Sequence, residues 1–350
     1  MADTALPPQI VLLDKISQLL AFRAIASFGT LGIADHLAAG PATATDIAQA
    51  LRLHANSTFR LLRACANAGV VSQSSPLLHE AVFALTPMGD CMRSDVPGSV
   101  RHIMQAMADP GHWRAWENFD AAVQTGEPAT FPAHGTDLWS YFQDHPTEEA
   151  TFSAGMQNLA ETHVAPILDA YGSSFDDARV IVDVGGSLGN VLAYALTKAP
   201  LAHGILFDLP AVIDTARAKL DAAVVERTTF VGGDFFEHVP SGDLYLLKFI
   251  LHDWHDDKCD VILANVVKAA SKGAKVLAIE MVLPSDVEPA AGVGQLLSPG
   301  LFLDMAMLGS QTGRERTADE YVAMYAKAGI RFTRVIQSMT AYSIVEGIVE

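Results

Sequence analysis

The pattern of apolar positions changes near residue 178. Before that point, apolar residues recur at the spacing of amphipathic helices, as Ile10, Leu13 and Ile16 do. After it, short apolar runs alternate with amphipathic stretches, and the runs are "RVIVDV", "HGILFDLP", "TTFVGGDFF", "DLYLLKFIL" and "AKVLAIEMVLP". Strands that alternate with helices indicate a parallel sheet with helices on both faces. We therefore predict an α/β fold preceded by a mainly helical region.

Near the end of the chain, Thr317 is followed three residues later by Glu320. This spacing predicts a capping box at the start of a helix.

The segment "ATDIAQALRLHANSTFRLLRACANAGVV" predicts two helices joined by a short turn. Thr45 and Ser57 are candidate N-caps, and Gly69 is a candidate helix end. The short apolar run "VFALT" then predicts a β-wing, which completes a winged-helix pattern. Such a module binds DNA or serves as a scaffold for dimerisation. Its second helix offers only Arg60 and Arg63 as prominent cations, which favours the scaffold.

Composition narrows the class of protein. The 350 residues are 50% hydrophobic and carry a formal net charge of −17, which argues against nucleic-acid and anionic-membrane partners. No apolar run approaches the roughly 20 residues of a membrane helix, and the first residues do not resemble a secretory signal. Cys65, Cys91 and Cys259 are widely spaced, which suits a reducing compartment and indicates no zinc site. We predict a cytoplasmic protein.

Three predicted strands end in acidic residues. The first ends at Asp183, before a glycine turn that lacks the dinucleotide fingerprint, and an acid there suits a ligand with an ammonium group. The second ends at Asp208, placed to accept both hydroxyls of a ribose. The third ends at Asp234 and Phe235, suited to an adenine amino group and its ring face. Each aspartate alone suits a helix cap equally well. Together they predict an adenosine cofactor without phosphates, and S-adenosylmethionine fits.

The fourth strand runs into "HDWHDD", which allows three interpretations. His252 is a candidate general base at the crevice beside the cofactor. His252 with Asp253 is also a candidate metal site, but the sequence has no HxH, HExxH or Cys/His cluster to complete it. For Asp253 we favour a helix N-cap, with the residues from His255 to Asp257 as the first turn.

These motifs resemble those of a known enzyme family. "VDVGGSLG", "FDLP", "LKFILHDWHDD", "IEMVLP" and "LDMAMLGSQTGRERTADEY" occur in the order of class I S-adenosylmethionine-dependent O-methyltransferases of the plant caffeate and bacterial polyketide-tailoring type. The N-terminal part resembles the winged-helix dimerisation domain of the same group. The resemblance covers nearly the whole chain and implies a Rossmann-like methyltransferase domain. One departure is Ser187, which stands where the family's glycine-rich loop has its third glycine.

The resemblance also implies roles for individual residues. His252 would be the base, flanked by Glu280 and Glu315. The implied cofactor-binding residues are Asp183, Gly185, Gly186, Ser187, Asp208, Leu209, Asp234, Phe235 and Lys248. The candidate acceptor-binding residues are Phe152, Met156, Asp253 and Met305. For most of them, a place in the hydrophobic core would explain the residue type equally well.

The leading hypothesis is a homodimeric, metal-independent O-methyltransferase that acts on a phenolic or polycyclic aromatic small molecule. The expected domains are a dimerisation domain (1–100), a helical linker that contributes to the acceptor pocket (101–178) and a catalytic domain (179–350). The alternatives are an N-methyltransferase of an aromatic heterocycle, a homologue with non-methylating chemistry, and a winged-helix regulator that senses S-adenosylmethionine.

Overall fold

The computed structural model describes residues 7–75, 77, 80–287 and 297–350. The helices are α1 (Pro8–Thr30), α2 (Ile33–Ala38), α3 (Ala44–Leu51), α4 (Ala55–Asn67), α5 (Pro87–Asp90), α6 (Arg101–Ala108), α7 (Pro110–Glu117), α8 (Phe119–Thr125), α9 (Thr130–His134), α10 (Leu138–Asp144), α11 (Pro146–Tyr171), α12 (Asn190–Lys198), α13 (Pro210–Lys219), α14 (Ala222–Val225), α15 (Asp256–Ala269), α16 (Pro299–Ser310) and α17 (Ala318–Ala328). Short 3-10 helices span Gly172–Phe175 and Leu251–Asp253.

The strands fall into three sheets. They are β1 (Ala42–Thr43), β2 (Val71–Gln73), β3 (Val82–Leu85), β4 (Val180–Val184), β5 (His203–Asp208), β6 (Thr228–Gly232), β7 (Leu244–Lys248), β8 (Lys275–Glu280), β9 (Val282–Leu283), β10 (Arg316–Thr317), β11 (Ile330–Gln337) and β12 (Ser343–Val349). The small sheets have the orders β1-β3-β2 and β10-β9, and the large sheet has the order β11-β12-β8-β7-β4-β5-β6.

The chain forms two compact units. One contains the described residues of Met1–Glu117, Ala133–Leu159 and Leu297, and the other contains Asn118–Pro132, 160–287 and Ser298–Glu350. The predicted domain boundaries at residues 100 and 178 stay a prediction.

In the first unit, α3 and α4 form the predicted helix–turn–helix, and the β1-β3-β2 sheet forms its wing. The observed N-caps lie within one helical turn of the predicted Thr45 and Ser57. Thr43 is extended and its side chain accepts from the backbone of Asp46, and the side chain of His54 accepts from the backbone of Ser57. Gly69, with φ of 81°, follows the end of α4 as predicted. The first helix, α1, exposes large apolar side chains, which are Ile10, Leu12, Leu13, Ile16, Leu19 and Leu20.

In the second unit, β4 to β8 are parallel, as predicted. β12 pairs antiparallel with β8, and β11 pairs antiparallel with β12, an edge that the sequence analysis did not predict. One face of the sheet packs on α12 and α13, and the other packs on α15 and α17. This arrangement brings the carboxyl ends of the parallel strands to one edge. Among the described helices, none is long and apolar enough to cross a membrane.

Candidate active site

A tight turn follows the first strand of the large sheet. β4 ends at Val184, and Gly185 and Ser187 then take positive φ angles of 65° and 51°. A Cβ at Gly185 would overlap the side chain of Ile250, so glycine is required there. Gly186 lies between these two residues. Because Ser187 itself adopts the left-handed conformation, serine in place of the family's glycine preserves the turn.

The second strand brings a carboxylate to the same turn. Asp208 ends β5, and its Oδ2 accepts a hydrogen bond from the backbone N of Ser187 at 2.8 Å, while Oδ1 accepts from that of Leu209 at 2.7 Å. Burial raises the pKa of Asp208, against the effect of these two donors. A carboxylate has about four acceptor positions. Each oxygen therefore retains capacity for one ligand hydroxyl, which suits a ribose.

The third strand is followed by the pair Asp234 and Phe235. Asp234 Oδ1 accepts from the backbone N of Phe236 at 2.8 Å, which shapes the turn. The half-buried ring of Phe235 meets the rings of Phe236 and Trp254 edge-on, with centroid distances of 4.8 and 6.2 Å. A carboxylate and an aromatic ring thus lie side by side at this strand end.

One of the predicted cofactor residues is deeply buried, and another is half-buried. Asp183 is 1% exposed and its Oδ2 accepts from the backbone N of Leu192 at 3.1 Å, so it holds the first turn of α12. Burial raises the pKa of Asp183 to about 7. Lys248 ends β7 with Nζ 3.8 Å from the ring centroid of Phe249, and burial lowers its pKa to about 8 against the attraction of Glu280 and Asp183. For both residues, cofactor contact stays a prediction.

His252 lies in the 3-10 helix that follows β7, and its side chain is 11% exposed. Its Nδ1 lies 2.8 Å from Glu315 Oε1, and its Nε2 lies 3.5 Å from Asp253 Oδ1. An ionised carboxylate can only accept a hydrogen bond, so Nδ1 carries a proton. Nε2 is then the ring nitrogen that can take a proton from another group.

Two buried glutamates flank the imidazole. Glu280, at the end of β8, is fully buried, and its Oε1 accepts from the backbone N of Leu251 at 3.0 Å. The backbone N of Glu315 donates to Asp304 Oδ1 at 2.9 Å, which fixes the position of Glu315. Among the described residues, Oε2 of Glu280 and Oε2 of Glu315 have no hydrogen-bond partner. Unpaired buried charge is costly, so a proton held within this cluster stabilises it.

The charges of the cluster change its basicity. Burial lowers the pKa of His252, but the neighbouring carboxylates, first that of Glu280, outweigh burial and raise it to about 9. Burial raises the pKa of Glu280 to about 8, although the charge of His252 opposes this. The imidazole is therefore a stronger base than an exposed histidine.

Aromatic rings stand beside the imidazole. Phe249, with a positive φ of 56°, has its ring centroid 5.2 Å from that of His252. The ring of Tyr342 lies 4.7 Å from Phe249 and 5.0 Å from His163. Burial raises the pKa of Tyr342 to about 12, which keeps its hydroxyl neutral. Phe249 and Tyr342 were not predicted as site residues, because nothing in their local patterns separates them from core residues.

The "HDW" segment does not cap the helix that follows it. α15 begins at Asp256 with His255 at its N-cap position, so the predicted role of Asp253 as that cap is wrong. The chain is extended at Trp254 and His255, which delays the helix. One ligand atom from each of three residues, His252, Glu280 and Glu315, lies within 4.8 Å of the others, near enough to hold a metal ion. The cluster can thus hold a proton or an ion.

Three of the four predicted acceptor residues lie on two α-helices, and the fourth, Asp253, lies beside His252. Phe152 and Met156 are half-buried on α11 in the first unit, where the ring of Phe152 lies 5.2 Å from His112 and 5.5 Å from Phe142. Met305 is half-buried on α16 in the second unit, next to Asp304. Their contact with an acceptor stays a prediction.

Comparison with known proteins supports the predicted family. Residues 116–331 match the model of an O-methyltransferase domain, and residues 13–95 match that of an O-methyltransferase dimerisation domain. The phenazine O-methyltransferase PhzM of Lysobacter antibioticus is 34% identical over 344 residues, which are 98% of this chain and 96% of that protein.

Solved structures of similar proteins support the same family. The crystal structure of LaPhzM has a TM-score of 0.87 and 33% identity, and the match covers 99% of this chain and 100% of that one. NcsB1 from neocarzinostatin biosynthesis, solved with S-adenosylmethionine and 2-hydroxy-5-methyl naphthoic acid, has a TM-score of 0.74 and 30% identity over 93% of this chain and 95% of its own. These matches confirm the predicted family, fold class and cofactor, and they favour transfer to oxygen over the alternatives.

The strand-end residues fit S-adenosylmethionine. The turn at Gly185 has no room for a side chain, and each oxygen of Asp208 keeps an acceptor position for a ribose hydroxyl. Asp234 and Phe235 offer the acceptor and ring that an adenine requires. The chain belongs to the O-methyltransferase family and is an S-adenosylmethionine-dependent O-methyltransferase of secondary metabolism that carries the family's dimerisation domain.

Proposed function

We propose that this enzyme methylates a hydroxyl group of a phenolic or polycyclic aromatic small molecule, with His252 as the general base and without a metal ion. The observation that carries the proposal is the buried imidazole, whose Nδ1 donates to Glu315 and whose Nε2 remains as the proton acceptor. When bound, S-adenosylmethionine supplies an activated methyl group on a sulfonium sulfur. The residues that would hold it are Asp208, Leu209, Asp234, Phe235 and the turn from Gly185 to Ser187.

The task left to the protein is to align the acceptor and remove its proton. A phenol has a pKa of about 10, and the flanking carboxylates raise the pKa of His252 to about 9. Proton transfer between groups of similar pKa is close to balanced, which favours general base catalysis. The imidazolium that forms is stabilised by Glu315 and Glu280.

An aromatic acceptor is supported by the rings beside the base. Phe249 offers a flat apolar surface next to His252, and Tyr342 extends it by packing on Phe249. Such surfaces stack well on aromatic ligands. The relatives point the same way, since one is named for a phenazine and the structure of another holds a naphthoic acid.

The same hydrogen bond supports the proposal that no metal ion is needed. An ion bound at Nδ1 would have to displace the contact between His252 and Glu315, which already pairs a proton with a carboxylate. With a proton in the cluster, an ion is not needed to balance the two glutamates.

The test compares wild-type enzyme with H252A on a panel of catechols, hydroxynaphthoates and hydroxyphenazines. The readouts are formation of S-adenosylhomocysteine and cofactor affinity by calorimetry. We expect kcat to fall by about 10²- to 10⁴-fold, as for loss of a general base, with cofactor affinity retained. The matched control is H255A, which removes the exposed histidine three residues away and should leave turnover unchanged.

A second arm treats the wild-type enzyme with EDTA and then adds Mg²⁺ or Zn²⁺. Unchanged turnover is expected throughout. Turnover that survives H252A would show that alignment alone suffices, and inactivation by EDTA that Mg²⁺ or Zn²⁺ reverses would assign the cluster to a metal instead.

A further inference from the structure

Arg316 is a fully buried charge that the proposed chemistry does not use. It follows Glu315 directly, and its side chain extends to the loop that carries the base. Its Nη1 donates to the carbonyl oxygen of Leu251 at 2.8 Å, and its Nη2 donates to that of Trp254 at 2.8 Å. These two carbonyls bracket His252. We call residues Leu251–Trp254 the base loop.

The guanidinium is itself held firmly. Its Nε and Nη2 donate to Asp256 Oδ1 at 3.1 and 2.8 Å, and Nη2 lies 3.5 Å from Cys259 Sγ. The Cys259 thiol in turn donates to the carbonyl of Leu251 at 3.2 Å. Burial of an arginine charge is costly unless its donors are satisfied, and here the forked guanidinium satisfies two loop carbonyls and a carboxylate together.

The backbone around Arg316 is tied to the rest of the cluster. β10 pairs in parallel with β9, with Arg316 opposite Val282, two residues after Glu280. Gly313 packs against the base loop so closely that a Cβ there would overlap the carbonyl oxygen of His252. The segment 313–316 therefore contacts the base loop through a glycine, a carboxylate and a guanidinium.

We propose that Arg316 is a positioning residue that holds the base loop in register with Glu315, so that His252 is aligned for proton transfer. The inference rests on the proposed role of His252. Without the guanidinium, the carbonyls of Leu251 and Trp254 keep the weaker thiol donor of Cys259 but lose their strong charged donor, and the loop can shift away from Glu315. A displacement of about 1 Å can lower a rate on the order of 100-fold.

The experiment compares R316K and R316M with R314M. Arg314 is the matched control, because it also bonds Asp256 but its side chain contacts neither loop carbonyl. The lysine variant keeps the charge but donates from a single nitrogen, so it lacks the planar fork whose separate nitrogens reach the two carbonyls and Asp256. The readouts are kcat, KM for the acceptor, cofactor affinity, and the pKa of His252 from NMR of ¹³Cε1-labelled histidine, assigned with H252Q.

We expect kcat to fall by about 10- to 100-fold in R316M and less in R316K, with KM and cofactor affinity within about threefold of wild type. The carboxylates that face His252 are those of Glu280, Glu315 and Asp253, and all are retained. Because the contact with Glu315 weakens, the pKa of His252 should fall toward its ordinary value. R314M should match wild type in each readout.

Three outcomes are decisive. An unchanged pKa of His252 in folded R316K and R316M, with kcat lowered only in proportion to the folded fraction, would reduce Arg316 to a stabilising residue. Unchanged kcat in both variants would overturn the inference outright. Failure of the proposed function is distinguishable, because it would appear as activity in H252A whatever the behaviour of Arg316.

Discussion

At the scale of single residues, the chemistry depends on charges that the fold keeps out of water. His252, Glu280 and Glu315 are all buried, and each glutamate has one oxygen without a partner among the described residues. Such a cluster favours a bound proton, which makes His252 a strong base but also keeps it protonated at neutral pH. Turnover should therefore increase with pH, since a base acts only in its deprotonated form.

The charge of Glu280 can be removed without changing its shape. In E280Q the amide oxygen still accepts from the backbone N of Leu251. The negative charge next to His252 is lost, so its pKa falls. We expect the rising limb of kcat/KM against pH to move down by about one unit or more, and the rate at pH 9 to fall because the base is weaker.

The measurement is a pH profile of kcat/KM from pH 6 to 10 for wild type and E280Q. The relative loss should be larger at pH 9 than at pH 6.5. E226Q, which neutralises an exposed glutamate, is the control and should keep the wild-type profile. If the rising limb of kcat/KM lies at the same pH in E280Q as in wild type, Glu280 does not change the pKa of His252.

At the scale of elements, α17 shows how local sequence sets a helix start beside the site. Thr317 accepts from the backbone N of Glu320 at 3.3 Å, and Glu320 Oε2 accepts from that of Thr317 at 2.8 Å. This is the capping box predicted from the sequence. It anchors the segment that carries Glu315 and Arg316, since Thr317 is also the last residue of β10.

Removal of the cap should destabilise the protein. We expect T317A to lower the free energy of unfolding by about 1 kcal/mol, measured by urea denaturation of the cofactor-free enzyme. T215A is the matched control, because Thr215 is exposed within α13 and its hydroxyl donates to the carbonyl of Ala211 one turn earlier. Equal stability of T317A and T215A would contradict a stabilising role of the box.

At the scale of the whole molecule, the apolar surface of α1 indicates self-association. Ile16 and Leu19 are each more than half exposed, and exposed apolar patches mark interaction sites in soluble proteins. The helix lies largely within the region that matches the dimerisation domain, which supports a homodimer.

We expect I16E to shift the enzyme from dimer to monomer at micromolar concentration, because a buried carboxylate would meet an apolar partner surface. Analytical ultracentrifugation of wild type and I16E measures this. L201E changes a residue that is 80% exposed in the second unit and should remain dimeric. A dimer that persists in I16E at the lowest concentrations would place the interface elsewhere.

Much of the architecture was predictable because it is encoded in local patterns. The five parallel strands are continuous apolar runs, and the wing and the cap of α17 have local turn and cap chemistry. The β11–β12 edge was not predicted, although β12 is mostly apolar, because β11 mixes apolar residues with polar and charged ones. Its antiparallel pairing with β8 depends on where the chain returns, which no local pattern records.

The sequence by itself determined the family, the cofactor class and the candidate base, because strand-end aspartates and the "HDW" segment lie at fixed places along each strand and turn. Tertiary structure alone decided the surroundings of the base. The ring of Phe249 lies beside His252, and Tyr342 packs on Phe249 from near the end of the chain. Arg316 bonds the carbonyls of Leu251 and Trp254 on either side of the base, and Asp183 turns into the core toward α12. Proximity, burial and the resulting pKa shifts arise only when distant segments pack together, so they are properties of the fold.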